Sequence, residues 1–198
     1  MVHYISIGDH CALPMIMKEL NMRTESYPFD WVMHEDQLTG SSLEVNIKFL
    51  EMTMNRSSHT NSFSDIAKEY LGADCKYNTL TKILFPHEHS SYQETIDKYT
   101  RRFERLYNSV KTDECIFMIV TRLYSLDEPE FTKMYNIIMN YNKLNKIIIF
   151  SGADYSYISA YENVTYYYVY YDPDKLFEFD YQYFRPSIKF ILNDMTKL

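Results

Sequence analysis

Glycine is scarce in this chain: 198 residues carry 4, beside 3 cysteines, 6 prolines and one tryptophan. So few glycines leave little for a phosphate-cradling loop. Neither GxGxxG nor GxxxxGKS/T occurs, so the two common nucleotide fingerprints are absent. Cys11, Cys75 and Cys115 are odd in number, widely spaced and form no CxxC pair. That argues against a disulfide framework and against a zinc knuckle. Basic residues are also short: 20 Lys and Arg stand against 27 Asp and Glu, a net charge of −7. Arg101, Arg102 and Arg105 form the main basic cluster and share a stretch with Glu94, Asp97 and Glu104. Neither nucleic-acid binding by counterion release nor docking on an anionic membrane is expected. No apolar run reaches the ~18 residues of a spanning helix, and the first residues lack the pattern of a signal peptide. The chain reads as intracellular, cytoplasmic and reduced.

What is abundant is aromatic. With 20 Tyr and 12 Phe, and 46% apolar residues overall, the chain has ample surface to build a core. Its length fits one domain, residues 1–198. Residues 2–8, VHYISIG, read as a strand. Leu13, Ile16, Met17 and Leu20 then repeat at helical spacing, with Pro14 in the first turn. Further helices are expected near 43–54, over DIAKEYLG and near 92–110, and TKILF reads as a strand cut off at Pro86. From there ECIFMIVTRL, NKIIIFSG and VTYYYVYY read as strands, separated by helical EPEFTKMYNIIMNYN and DYSYISAY and followed by helical PSIKFILNDM. Near-continuous apolar strands between helices imply a parallel sheet covered on both faces. The expected fold is a single three-layer α/β domain with a mostly parallel, doubly wound, Rossmann-like sheet.

Ligands of such a sheet bind beyond the carboxyl ends of its strands. Gly8–Cys11, Pro86–His89, Thr121–Tyr124, Ser151–Asp154 and Tyr171–Asp174 are expected there. At a helix start, Cys11 would face unpaired amides and the positive end of the helix dipole, which favour a thiolate. The bland alternative is a small buried packing residue. Asp9 is a candidate ligand contact or simply the helix cap, and His10 a bystander. In SYPFDW, Asp30 lies between Phe29 and Trp31. It is either an orienting acid or a buried group satisfied by backbone amides, with Trp31 a ligand contact or a core plug. In PHEH, His87 and His89 are candidate polar site residues or exposed loop residues. A third metal ligand is not evident, so neither a metal site nor a cofactor is expected. Arg101, Arg102 and Arg105 are either a clamp for an anionic group or a solvated face.

These blocks carry a resemblance. ISIGDHCALPMIMKEL followed by ESYPFDWV resembles the signature of the DUF1796 family of papain-like cysteine peptidases. That signature runs from an SLGxxC block through a short helix and SxPFDW to a later F-x-H segment and an Arg-bearing helix. Here these are Ile5–Cys11, Ser26–Trp31, Phe85–His87 and the helix of Arg101 to Arg105. The resemblance implies Cys11 as nucleophile, His87 as base and Asp30 as orienting acid. Asp9 departs from the small polar residue that the family often has. His89 after His87 leaves two histidines competing for one family position. The family label also implies a helix against an antiparallel sheet, whereas the periodicity here is that of parallel α/β.

The functional expectation is a cysteine-dependent hydrolase acting on a small-molecule or peptide substrate. One alternative is a non-catalytic module binding a sugar, a nucleotide or another small polar or anionic ligand. Another is an interaction module that dimerises through VTYYYVYY, should that strand be an exposed edge.

Overall fold

The computed structural model describes residues 2–8, 11–35, 41–56, 62–175 and 180–195. Strands β1 (Val2–Gly8), β5 (Glu114–Thr121), β6 (Lys146–Ser151) and β7 (Val164–Tyr168) form one sheet in the order β1-β5-β6-β7, parallel throughout. The sequence pattern explains which way each strand faces. Phe117, Ile119, Ile147 and Ile149 turn to one face, and Met118, Val120, Ile148 and Phe150 to the other. Both faces are apolar, so both must be covered. The first packs against α2 (Ser41–Met54), α3 (Phe63–Leu71), α4 (Tyr92–Thr112) and α5 (Glu128–Met139). The second packs against α1 (Ala12–Glu19) and α6 (Arg185–Met195). The result is the expected three-layer α/β architecture with a parallel sheet.

Helix boundaries follow local chemistry. Ser62 with Asp65 and Ser91 with Glu94 close reciprocal capping boxes on α3 and α4. Asp127 caps α5 by accepting from the Glu130 amide at 2.9 Å, with Pro129 in the first turn. Gly72 ends α3 at φ 73°, a conformation that glycine adopts without strain. Among the described residues no helix is long and apolar enough to cross a membrane.

One strand expectation is corrected. The segment before Pro86 does not join the parallel sheet. Its strand, β4 (Ile83–Leu84), is two residues long and lies between β2 (Met33–His34) and β3 (Tyr77–Asn78) in a small antiparallel sheet. Ile83 and Phe85 bury themselves in the helical layer, and the Phe85 amide donates to Lys76 O. Pro86 then has no amide to continue a ladder. Pro86–His89 therefore do not follow a parallel strand. The tyrosine-rich strand is shorter than its apolar run. After Tyr168 the chain leaves the sheet, and Val169 and Tyr171 turn into the α1–α6 layer. Among the described strands β7 is an edge, with Tyr168 and Tyr170 exposed.

Close approach fixes the end of β1. A Cβ on Gly8 would meet Val120 O, a backbone atom of β5, at 2.8 Å. Gly8→Ala should therefore destabilise the fold by about 1–3 kcal/mol, the usual cost of overpacking. Urea unfolding measures it, and an unchanged midpoint would show that the β1–β5 pairing gives way freely.

Candidate active site around Cys11

Cys11 is the N-cap residue of α1, just past the carboxyl end of β1, and its thiol is buried. Burial raises the pKa of this thiol. Arg185, the residue's own backbone amide and Arg122 pull it down, and Asp180 pushes it up. These charged residues come from far along the chain. Arg122 directly follows β5; Asp180 opens a single π-helical turn, Asp180–Phe184; Arg185 begins α6. All three are buried. Arg185 Nε donates to Asp180 Oδ2 at 2.6 Å, and Arg122 Nη2 lies 3.6 Å from Asp180 Oδ1. Their guanidinium groups sit over aromatic rings, Arg185 on Tyr181 at 4.1 Å and Arg122 on Tyr171 at 5.5 Å. Desolvated charges of this kind persist only when paired.

The neighbouring strand ends are tied by short polar bonds. Thr121 Oγ1 donates to Ser151 Oγ at 2.7 Å, and Ser151 Oγ accepts from the Ala153 amide at 3.0 Å. The Gly152 amide donates to Arg122 O at 2.8 Å. From α2, Asn46 Nδ2 donates to Gly8 O at 3.1 Å, while Tyr70 Oη donates to Asn46 Oδ1 at 2.9 Å. The carbonyl just before the cysteine segment is thus held by α2, through an asparagine that Tyr70 of α3 orients.

A second group gathers several of the other sequence candidates. Asp30 is wholly buried, and its Oδ2 accepts from Arg23 Nη2 and from the Tyr27 amide, both at 2.5 Å. Arg23 also donates to Ser26 Oγ at 2.7 Å and lies 5.3 Å from the Trp31 ring centroid. His87 meets Trp31 edge-on at 5.4 Å. Buried Glu88 pairs with Lys98 and lies 3.9 Å from Arg102, whose guanidinium covers Tyr99. Arg105 donates to Ser26 O at 2.6 Å and pairs with Glu25 at 2.8 Å. Arg101, His87 and His89 are exposed. Asp9 and His10 lie outside the described residues.

The two groups are anchored at opposite ends of β1. Tyr27 Oη is 2.9 Å from His3 Nδ1, near the amino end of the strand, whereas Cys11 follows its carboxyl end. His3 and Gly8 are about 17 Å apart at the rise of an extended strand. Among the described residues no histidine is hydrogen-bonded to Cys11, and no three His, Cys, Asp or Glu side chains converge as metal ligands. Asn46, Arg122, Asp180 and Arg185 were not singled out from sequence. Arg122 had one signal available, its place at a strand end.

A family model matches residues 2–150, well over half of the chain. The chain belongs to the DUF1796 family. That family is described as "Putative papain-like cysteine peptidase". No curated protein and no solved structure matches the chain. In this DUF1796 member the matched region contains Cys11, Asp30, His87 and Arg122, whereas Asp180 and Arg185 lie beyond it.

Burial pushes the Asp30 carboxyl up to about 6, against the pull of Arg23 and the Tyr27 amide. A raised carboxyl pKa means that folding favours the protonated acid. Stability is then lost as pH rises from the unfolded value through about 6. Asp30→Asn mimics that acid. It should match the native chain near pH 4 and gain on it as pH rises through about 6. Urea unfolding across that range tests the sign; a native chain that gains instead would show Arg23 outweighing burial.

Proposed function

We propose that the chain is a cysteine-dependent hydrolase with Cys11 as its nucleophile. The observation that carries this reading is the position of Cys11. It caps α1 beyond the carboxyl end of a parallel strand, with Arg185 and Arg122 pulling its pKa down against burial. Membership of a family described as a cysteine peptidase supports the same chemistry.

Sγ attacks a carbonyl carbon, a carbon–sulfur bond forms, and the bond to the leaving nitrogen or oxygen breaks. The thiol proton departs with the leaving group, and water then cleaves the thioester. Negative charge developing on the carbonyl oxygen faces the first turn of α1. There Leu13 carries an amide that has no partner within the helix, and Pro14 has no N–H to offer. Of the triad implied by family resemblance, this reading keeps Cys11 alone. The Asp30 carboxylate is held by Arg23 and the Tyr27 amide, and His87 packs on Trp31.

A second reading, ligand binding without turnover, is favoured by a specific observation. Burial keeps the resting thiol protonated beside two guanidinium groups, which suits an anion site better than an activated nucleophile. Acyl transfer separates the two. Incubation with p-nitrophenyl acetate should acetylate Cys11, detected by peptide mass, and Cys11→Ala should abolish turnover. A silent Cys11, or an unchanged rate in Cys11→Ala, would leave the binding reading standing.

The pH response has a defined sign. With its pKa raised, Cys11 should alkylate with iodoacetamide mainly at alkaline pH. Arg185→Met removes a charge that lowers this pKa, so at about pH 9, near the ordinary cysteine range, alkylation should slow severalfold. Faster alkylation would show that Arg185 shields the thiol instead of polarising it.

A further inference from the structure

Strand β7 pairs with β6 on one side, and no described strand pairs with the other. Two hydrogen bonds fix which residues face outward. Asn163 O accepts from the Ile147 amide, and the Val169 amide donates to Ser151 O, both at 2.9 Å. The odd-numbered residues of this stretch therefore turn their amides and carbonyls to β6. Val164, Tyr166 and Tyr168 turn theirs away from the sheet. Tyr166 Oη donates to Ala153 O at 2.6 Å and so ties the strand to the loop after β6.

Edge strands are normally guarded by lysine, proline, a bulge or a covering element. β7 carries no lysine and no proline, and its register with β6 runs from Val164 to Tyr168 without a skipped residue. Residues 163–171, NVTYYYVYY, hold no charge in a chain whose net charge is −7. Tyr168 is 62% exposed. On the face of Val164 and Tyr166, a cavity of about 420 Å³ opens between β7 and the 3₁₀ turn Ser156–Ala160. Ile158, Tyr161 and Val164 line its apolar side, and Asp154, Ser156 and Ser159 its polar side.

We propose that β7 pairs with β7 of a second copy of the chain, antiparallel about a two-fold axis at Tyr166. Tyr166 then faces its own copy, and Val164 of each chain faces Tyr168 of the other. All three outward residues are matched, with about six backbone hydrogen bonds, two for each such pair. Any other two-fold register leaves at least one of the three unpaired. Two-fold symmetry makes each copy both donor and receiver. Tyr168 of each copy meets the cavity beside Val164 of the other, where the ring finds apolar wall and the hydroxyl finds acceptors. By the same count Glu162 falls opposite Tyr170, so the acid that precedes the strand meets no like charge. The two four-stranded sheets become one continuous sheet. β1 lies at the far edge of each, so the pairing leaves the Cys11 site free and does not depend on the hydrolase reading.

A contact of this size belongs with weak associations. Sedimentation equilibrium of the full chain should show a reversible dimer with a Kd of about 10–100 μM. Tyr168→Lys sets an ammonium against Val164 of the other copy. It should weaken the dimer about tenfold or more while leaving the circular dichroism spectrum unchanged. The register has its own test, in which Val164→Cys and Tyr168→Cys are mixed under mild oxidation. Paired Cα atoms stand about 5.5 Å apart, within disulfide reach, whereas identical positions stand about 14 Å apart. Only the mixture should link, since the native Cys11, Cys75 and Cys115 are buried. A monomer at every concentration, a dimer indifferent to Tyr168→Lys, or a mixture that links no faster than either variant alone would overturn the proposal. So would a monomer whose Val164, Tyr166 and Tyr168 amides resist hydrogen exchange, because another part of the chain would then cover the edge.

Discussion

The parallel ladder of β1 on β5 is the constraint on which the candidate site depends. It pairs Val2 with Glu114 and Gly8 with Val120, residues more than a hundred positions apart. Closing so long a loop costs chain entropy, although that cost grows only slowly with length. Burial of apolar side chains on both faces of the strands offsets it. Once the ladder forms, the end of β1 that leads to Cys11 and the end of β5 that leads to Arg122 emerge side by side. Gly8 lets them come that close, and Asn46 and Tyr70 hold its carbonyl from the helical layer.

Two buried ionic clusters do different work on this frame. Asp180 between Arg122 and Arg185 joins the end of β5 to the start of α6, and so brings the C-terminal helix to the thiol. Asp30 with Arg23 closes a loop only seven residues long and anchors it beneath Trp31. Ion pairs in low dielectric add little net stability, because desolvation opposes the Coulomb gain. What they supply here is placement. The two acids differ in how many cations they face. Asp30 Oδ1 has no hydrogen-bond partner within the described protein, and burial dominates its titration. Asp180 Oδ1 likewise accepts no hydrogen bond, but Asp180 is flanked by two guanidinium groups, Arg185 at 2.6 Å and Arg122 at 3.6 Å.

Much of the fold was legible in the residues. ECIFMIVT and KIIIFS are short, apolar and rich in β-branched residues, as buried strands are, and Asp127 with Pro129 marks the start of the intervening helix. The PHEH segment was not legible. A two-residue antiparallel strand ending at proline looks locally like the end of a longer one, and only its partners, Met33–His34 and Tyr77–Asn78, distinguish the two. The tyrosine run was half legible. Its β propensity is real, yet Val169 and Tyr171 find better burial against α6 than in the ladder.

By itself the sequence determined the layered α/β class, where most of the helices lie and the position of Cys11 at a strand-to-helix junction; it offered Asp9 as the cap of α1, where the N-cap residue is Cys11. These depend on periodicity and on chemistry within a few residues. Only the tertiary structure decided what surrounds that cysteine. Asp30 and His87, from two separate motifs, are organised around Arg23 and Trp31, whereas Arg122, Asp180 and Arg185 act on the thiol. The physical reason is range. An apolar stripe is a local interaction, but the field at a buried thiol is set by whichever charges the packed sheet and its last helix bring near it.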